Sequence, residues 1–172
     1  MGCGLTTTIA RDCYNAVGGI DTIYVAEFDR VASVTENSSG DVSSITMTGS
    51  SKFYEYKIEK GTGNFAQTGA TNPANGTTFY EQALTVPINK TSSTKDFILK
   101  LTAYNKLMII VKDNNGEYKL MGRTGAYLGS NVSNTGTALG DANGYTLTFN
   151  AQEPAYAGTV DSSAISTIIQ SA

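Results

Sequence analysis

The sequence contains no histidine and no tryptophan, and only 3 prolines and 2 cysteines occur among its 172 residues. Without histidine the chain lacks the usual general base, the commonest metal ligand and the partner of a nucleophilic serine or cysteine. Residues 113–117 lack the ligand set of a calcium loop, and Gly122, Gly125 and Gly129 do not form a phosphate-binding motif. These absences predict a protein that is not an enzyme and that binds no cofactor and no metal.

Charged residues are also scarce, at 16% of the chain. The 12 Lys and Arg against 15 Asp and Glu give a formal charge of -3, and no segment is strongly basic, which argues against sequence-specific binding of nucleic acid. No run approaches the roughly 20 apolar residues of a membrane span, and the start of the chain does not resemble a secretory signal. We therefore expect a protein that is made in the cytoplasm and has no membrane partner, in which Cys3 and Cys13 are bridged, free or buried.

Ser, Thr, Asn and Gly are abundant, and the chain has 10 Tyr and 18 Gly. Thr, Tyr, Val and Ile favour strands, whereas Gly and Asn favour tight turns. The composition predicts a mainly β fold, either a β-sandwich or a barrel, and the length predicts a single domain over residues 1–172. Residues 1–17 are predicted to form an N-terminal arm, of which 8–17 form a short helix or extended chain. Residues 154–172 are predicted to form a C-terminal arm.

The clearest strand pattern lies at residues 52–60, where Tyr54, Tyr56 and Ile58 share one face, predicted to be core, and the residues between them share a solvated face. After a break at 61–63 the alternation resumes at 64–70 and at 77–88, around a turn at 71–76. Together these segments predict one long hairpin over 52–88, whose tip reaches a neighbouring subunit or curls back within the domain. Strands at 20–28 and 42–48 are predicted to pair with each other.

One amphipathic helix is predicted at about residues 94–106, and Ser93 with Asp96 resembles a capping box at its start. Two further strands, at 107–112 and 145–151, each adjoin an Asn-Gly turn. The apolar face of the helix is predicted to pack on the sheet, and it consists of Phe97, Ile98, Leu101 and Tyr104.

Three stretches of the sequence resemble virion structural proteins of tailed bacteriophages that infect Bacteroidetes, including crAss-like phages. They are ARDCYN at 10–15 with GGID at 18–21, IIVKDNNG at 109–116 with LMGR at 120–123, and TGTALGD at 135–141 with GYTLTF at 144–149. Within that group the chain is most similar to tail-tube proteins. The resemblance implies a β-sandwich or barrel with a flanking helix and a long hairpin. It also implies rings of six copies that stack into a tube through which DNA passes, and thus a place in the virion tail.

Under this resemblance two sets of residues gain candidate roles. The arms would join successive rings, and the other partners would be tail or neck proteins and the passing DNA, which is not bound in a sequence-specific way. A negative inner wall would let DNA slide, and the candidate lumen-facing residues are Glu55, Lys57, Glu59 and Glu81. The candidate inter-subunit hairpin tip consists of Asn72, Pro73, Asn75 and Gly76.

Two other kinds of function fit the same pattern. The chain could be a neck or connector ring, or a capsid decoration protein, because these use self-complementary β surfaces in other symmetries. The second kind is a carbohydrate-binding or adhesin-like β module. The absence of tryptophan, the most useful platform for stacking sugars, weighs against that module.

Overall fold

Ten strands and one long helix follow one another in the part of the chain that the computed structural model describes, residues 8–11 and 13–170. A 3-10 turn, Phe28–Arg30, and a short helix, α2 (Ser162–Ile165), are the other helical segments there. The longer elements are β1 (Ile20–Glu27), β2 (Val31–Glu36), β3 (Val42–Met47), β4 (Phe53–Lys57), β5 (Asn64–Asn72), β6 (Thr77–Asn89), α1 (Ser93–Tyr104), β7 (Leu107–Asp113), β8 (Tyr118–Asn134), β9 (Gly144–Glu153) and β10 (Ile169–Gln170).

Eight of the strands form one sheet in the order β10-β4-β1-β7-β8-β9-β6-β5, and β2 and β3 form a separate hairpin. Neighbouring strands are antiparallel, except that β10 runs parallel to β4. The predicted mainly β fold with one flanking helix is therefore confirmed. The helix spans Ser93–Tyr104 and not 94–106.

The long strand β8 bends and thereby connects the two halves of the sheet. It pairs with β7 up to Met121 and again at Ala126, and residues 122–125 bulge out between these two positions. From Tyr127 onward it pairs with β9. Gly122 and Gly125 at the ends of the bulge have φ values of +74° and +125°, which favour glycine. Because of the bend, one strand pairs with β7 in one half of the sheet and with β9 in the other half.

A cluster of buried apolar side chains fills the inner face of this sheet. Its members come from strands as far apart in the sheet as β1 and β6, so the sheet must curl around them. Helix α1 contributes Leu99, and Tyr56, Ile58 and Phe65 pack against the cluster from β4, its following turn and β5. The inner cluster includes Ile23, Val25, Leu84, Val86, Ile109, Val111, Met121, Leu147 and Phe149.

A second cluster lies on the outer face of the half formed by β4, β1, β7 and the start of β8. The β2–β3 hairpin and residues 157–170 cover this face, so that half of the sheet is buried on both sides. The outer cluster includes Tyr24, Ala26, Val42, Ile45, Phe53, Met108, Ile110, Leu120, Val160, Ile165 and Ile168.

The predicted pairing of strands 20–28 and 42–48 is wrong. Strand β3 pairs with β2, which the sequence analysis missed, and β1 lies between β4 and β7. The side chain of Asn37 explains the local pairing, because its Oδ1 accepts hydrogen bonds from the N–H groups of Ser39 and Asp41, both at 2.9 Å. This tight turn places β2 and β3 side by side.

The prediction of one hairpin over residues 52–88 is also wrong. The chain turns at 58–63, where Gly61 has a φ of +80°, and β4 joins β1 and β10 at the far end of the sheet. The hairpin consists of β5 and β6 alone. The predicted faces of β4 fail too, because Phe53 is fully buried in the outer cluster whereas Tyr54 is 59% exposed.

The segment predicted as a C-terminal arm packs on the sheet over its described part. Val160, Ile165 and Ile168 are buried there. The N–H of Val160 donates to the carbonyl of Tyr118 at 2.8 Å, and the carbonyl of Ile168 accepts from the N–H of Phe53 at 2.8 Å. These residues form a layer of the fold and do not project as an arm.

The described residues of the predicted N-terminal arm, 8–11 and 13–17, form neither helix nor strand and are exposed. Two hydrogen bonds of 2.8 Å join the backbone of Val17 to the side chain of Asn115. Cys13 is free and exposed, whereas Cys3 lies outside the described residues. The extent of the domain, 1–172, stays a prediction.

Candidate assembly surfaces

Strand β5 ends the eight-stranded sheet, and within the described chain one of its two borders has no neighbouring strand. All 9 of its residues pair with β6 in continuous register, from Asn64 opposite Thr85 to Asn72 opposite Thr77. The strand contains no charged residue, no proline and no bulge, which are the usual means of protecting a strand border in a monomer. Its main-chain groups can therefore pair with another chain.

The opposite end of the sheet is protected in two ways. Strand β10 covers β4 at Phe53 and Tyr54. Charged side chains also occur at this end: Lys57 is on β4, and Lys52 directly precedes it. The two ends of the sheet therefore differ in their capacity to accept another strand.

The end of the β5–β6 hairpin extends beyond the rest of the sheet. Strand β9 accompanies β6 only as far as Tyr80, so Thr77, Thr78 and Phe79 project past it, by about 10 Å at the rise of a strand. Phe79 is exposed, and residues 71–80 contain no charged side chain. A neighbouring molecule could cover this end without burying a charge.

The turn at this end brings together the four predicted tip residues. Oδ1 of Asn72 accepts the N–H of Ala74 at 3.1 Å, and the carbonyl of Asn72 accepts the N–H of Asn75 at 3.3 Å. Gly76 has a φ of +63°, which closes the turn. Asn72, Pro73, Asn75 and Gly76 are all exposed, and their contact with another subunit stays a prediction.

The predicted lumen residues do not lie together. Glu55 and Lys57 are on β4 and Glu59 follows it, whereas Glu81 is on β6, and four strands lie between β4 and β6 in the sheet. Glu55 and Glu81 therefore do not face each other across one hairpin, because β4 is not part of that hairpin.

The surroundings of these charges also differ. The side chain of Glu55 is only 12% exposed, and its carboxylate lies 3.7 Å from the ammonium group of Lys57. On β6, the carboxylate of Glu81 accepts a hydrogen bond of 3.4 Å from Nε2 of Gln152. Their role in lining a lumen stays a prediction.

Helix α1 presents an apolar stripe to solvent, opposite to the predicted packing. The helix buries Leu99 and Thr102 instead, and Oγ1 of Thr102 lies 3.3 Å from the hydroxyl of Tyr56. Tyr54 on β4 lies in the same groove as Ile98 and Leu101 and enlarges the apolar surface. The stripe consists of Phe97, Ile98, Leu101 and Tyr104, whose exposures range from 41% to 74%.

The start of α1 is held in place by β9, which explains this orientation. Ser92 caps the helix, and its Oγ accepts the N–H of Lys95 at 3.3 Å, one residue earlier than predicted. Asp96 does not complete a capping box, because its Oδ1 accepts a hydrogen bond from the hydroxyl of Tyr145 at 2.5 Å. Anchored in this way, the helix turns its more apolar side away from the core.

A buried carboxylate lies beside the bulge in β8. Oε1 of Glu153 accepts the N–H of Thr124 at 2.8 Å, whereas its Oε2 is buried without a hydrogen-bond partner. Arg123 in the same bulge reaches outward and forms an ion pair of 2.5 Å with Glu36 on β2. These contacts join the bulge to β9 in the same sheet and to β2 in the separate hairpin.

Sequence reasoning overlooked two of these surfaces. The border of β5 had a local signal, a strand of 9 residues without charge or proline, but its place at the end of the sheet depends on the topology. The stripe of α1 was recognised as apolar and assigned to the core, because helical spacing is the same for a face that packs internally and one that faces solvent.

Comparison with known proteins finds no matching family model, no matching curated protein and no matching solved structure. In the described part of the chain, no three His, Cys, Asp or Glu side chains come together as a possible metal site. None of the helices described there is long and apolar enough to cross a membrane.

Proposed function

We propose that this chain is a structural protein that assembles with copies of itself, as a ring-forming subunit of a bacteriophage tail tube. The observation that carries the proposal is the border of β5, which has neither charge nor proline to prevent pairing. A monomer with such a border is prone to uncontrolled aggregation, whereas assembly covers it. The tail-tube role comes from the resemblance of residues 10–21, 109–123 and 135–149.

The stripe of α1 and the projecting hairpin supply two complementary surfaces on the same molecule. The stripe is apolar, and the hairpin end offers Phe79 among uncharged residues. A contact between the hairpin of one copy and the helix of the next joins different surfaces, and repeated contacts of this kind form a ring when the rotation between neighbours closes. Burying a side chain such as Phe97 or Leu101 completely contributes about 1.5–3 kcal/mol.

The proposal is tested by sedimentation velocity over a wide range of concentrations, together with negative-stain images of the concentrated protein. Rings that stack into tubes are the expected result. Isolated rings of fixed order would favour the neck or connector alternative. A monomer at every concentration contradicts self-assembly altogether.

A pair of variants tests the helix stripe specifically. In the double variant Phe97→Ser, Leu101→Ser, assembly should shift to at least about tenfold higher protein concentration, because more than 1.4 kcal/mol of contact is lost. The matched control is Lys100→Ser, Ala103→Ser, which changes two exposed positions of α1 outside the stripe. Equal assembly by the two double variants contradicts the role of the stripe.

A further inference from the structure

We propose that two copies of the chain pair β5 with β5, antiparallel, about a two-fold axis at Thr68. This inference rests on the proposed self-assembly, and it names the partner of the β5 border and the symmetry of the contact. Such a contact is isologous, which means that the same surface is used on both molecules.

The outer face of β5 is self-complementary. Alternate residues of a strand lie on opposite faces, and Phe65 packs against the inner cluster, so the residues on either side of it face outward. Two antiparallel copies centred on Thr68 would place every outward residue opposite an identical one. The outward series reads the same in both directions: Asn64, Ala66, Thr68, Ala70, Asn72.

The inner face of β5 is complementary in size. In the same arrangement Phe65 lies opposite Thr71, and Gln67 lies opposite Gly69. Each large side chain thus meets a small one, and no like charges meet because the strand has none. Directly opposite residues are the pairs that stabilise antiparallel strands.

The other end of the sheet is a poorer partner for β5. Strand β10 already pairs with β4 at Phe53 and Tyr54, and Lys52 and Lys57 bring charges to that end. Pairing of β5 with itself avoids both obstacles. A ring of six that contains this contact would consist of three dimers, whereas a ring joined only head to tail would not contain it.

Cysteine cross-linking tests the two-fold axis directly, in a background in which Cys3→Ser and Cys13→Ser remove the native thiols. In Thr68→Cys the two new thiols face each other across the axis. Opposite Cα atoms of antiparallel strands lie about 4.5–5.5 Å apart, within the range of a disulfide. Oxidised glutathione should therefore convert most of this variant into a covalent dimer that reduction separates.

The matched control moves the thiol away from the axis. Ala66→Cys alone should form no such dimer, because residue 66 lies opposite residue 70 in the other copy. A mixture of Ala66→Cys with Ala70→Cys should form a covalent dimer that contains one chain of each kind. Mass spectrometry of the linked peptides identifies the pairs.

Charge substitutions provide a second test that needs no disulfide. Thr68→Lys should weaken self-association at least about tenfold, because two ammonium groups then face each other at the axis. Thr68→Glu should have the same effect, and a mixture of the two variants should associate again. The control is Thr146→Lys, at an exposed outer position of β9, and thermal unfolding monitors the fold of each variant.

The results distinguish this inference from the proposed function. If the protein assembles but Thr68→Cys never links to itself, the two-fold pairing is wrong and the self-assembly remains. If linked dimers form but no larger particle is seen, the pairing is supported and the ring-forming role is contradicted. If the protein is monomeric at every concentration, both are overturned.

Discussion

The phenolic oxygen of Tyr145 lies 2.5 Å from Oδ1 of Asp96, so that β9 holds the first turn of α1. Tyr145 is buried, and its oxygen also accepts the N–H of Ser92, the residue that caps the helix, at 3.1 Å. The hydrogen bond to Asp96, together with burial, raises the pKa of the Tyr145 phenol. The start of the helix therefore depends on a strand much later in the sequence.

The first prediction concerns this contact. Tyr145→Phe keeps the ring in the inner cluster but removes the hydrogen bond to Asp96, so the first turn of α1 should lose protection against hydrogen exchange and the thermal unfolding temperature should fall. Tyr104→Phe is the control, because Tyr104 is exposed on the same helix. If both variants melt and exchange alike, the contact does not hold the helix.

The raised pKa of Tyr145 also predicts that the free energy of unfolding depends on pH. The neutral phenol is favoured in the folded protein, so its stabilising effect is complete below the pKa of the unfolded state, about 10, and is lost as the pH rises through the higher pKa of the folded state. Burial raises the pKa values of Tyr24 and Tyr56 in the same direction. The free energy of unfolding should therefore decrease as the pH rises above about 10.

Denaturant titrations from neutral pH to pH 11 test this dependence. The decrease should be shallower in Tyr145→Phe than in the wild type, because one of the three phenols is then missing. Equal slopes for the two proteins would show that Tyr145 does not contribute.

The second prediction uses two neighbours on β4 whose burial is opposite to that expected from the sequence. Phe53 is fully buried in the outer cluster, so Phe53→Ala should cost about 3–5 kcal/mol of unfolding free energy. Tyr54→Ala should change it by about 0.5 kcal/mol or less in the isolated subunit, because Tyr54 is largely exposed. Urea denaturation measures both, and a larger loss for Tyr54→Ala would contradict the described faces of β4.

The third prediction concerns the buried carboxylate of Glu153. The side-chain oxygen of Gln at this position can still accept the N–H of Thr124. The substitution removes the carboxylate, whose second oxygen is buried without a hydrogen-bond partner. Glu153→Gln should therefore raise the free energy of unfolding by about 1–3 kcal/mol. Glu81→Gln on the exposed face of β6 is the control and should have little effect, and a less stable Glu153→Gln would show that the buried charge is compensated.

The fourth prediction concerns the bulge of β8. A Cβ added at Gly122 would lie 2.8 Å from the backbone nitrogen of Ala126, at a φ of +74°, so Gly122→Ala should cost about 1–3 kcal/mol. Gly140→Ala is the matched control, because no atom lies within 4 Å of its added Cβ and its φ is not in the left-handed region. Thermal unfolding compares the two, and equal stability would contradict a strained bulge.

Sequence patterns predicted the second half of the sheet well. Leu84 and Val86 on β6 alternate with less buried residues, as the alternation at 77–88 predicted. Leu147 and Phe149 on β9, in the strand predicted at 145–151, show the same pattern. This half has one covered face and one solvated face, so a period of two marks the buried side. The Asn-Gly turn at 115–116 was also recognisable, because Gly116 has a φ of +86°, which favours glycine. At 143–144 the backbone is not left-handed, and Gly144 already begins β9.

The same reasoning failed on β4 because this strand lies in the half that is covered on both faces. Phe53 contacts the outer cluster while Tyr56 packs against the inner one, so alternation no longer separates core from solvent. For α1 the spacing identified the apolar face correctly, but it did not show whether that face packs on the sheet or faces solvent. Contacts that join residues far apart in the chain, such as Tyr145 with Asp96, determine which way the helix turns.

The sequence by itself determined that this protein is mainly β, where most strands and the helix lie, and which residues close its turns, because these properties depend on neighbours a few positions apart. It also contains the palindromic outer face of β5. Only the tertiary structure decided that β5 ends the sheet, that β4 belongs to its opposite end and that the apolar stripe of α1 faces solvent. Those properties depend on strand order and on which surfaces other segments cover, and both are set by packing between residues distant in the chain.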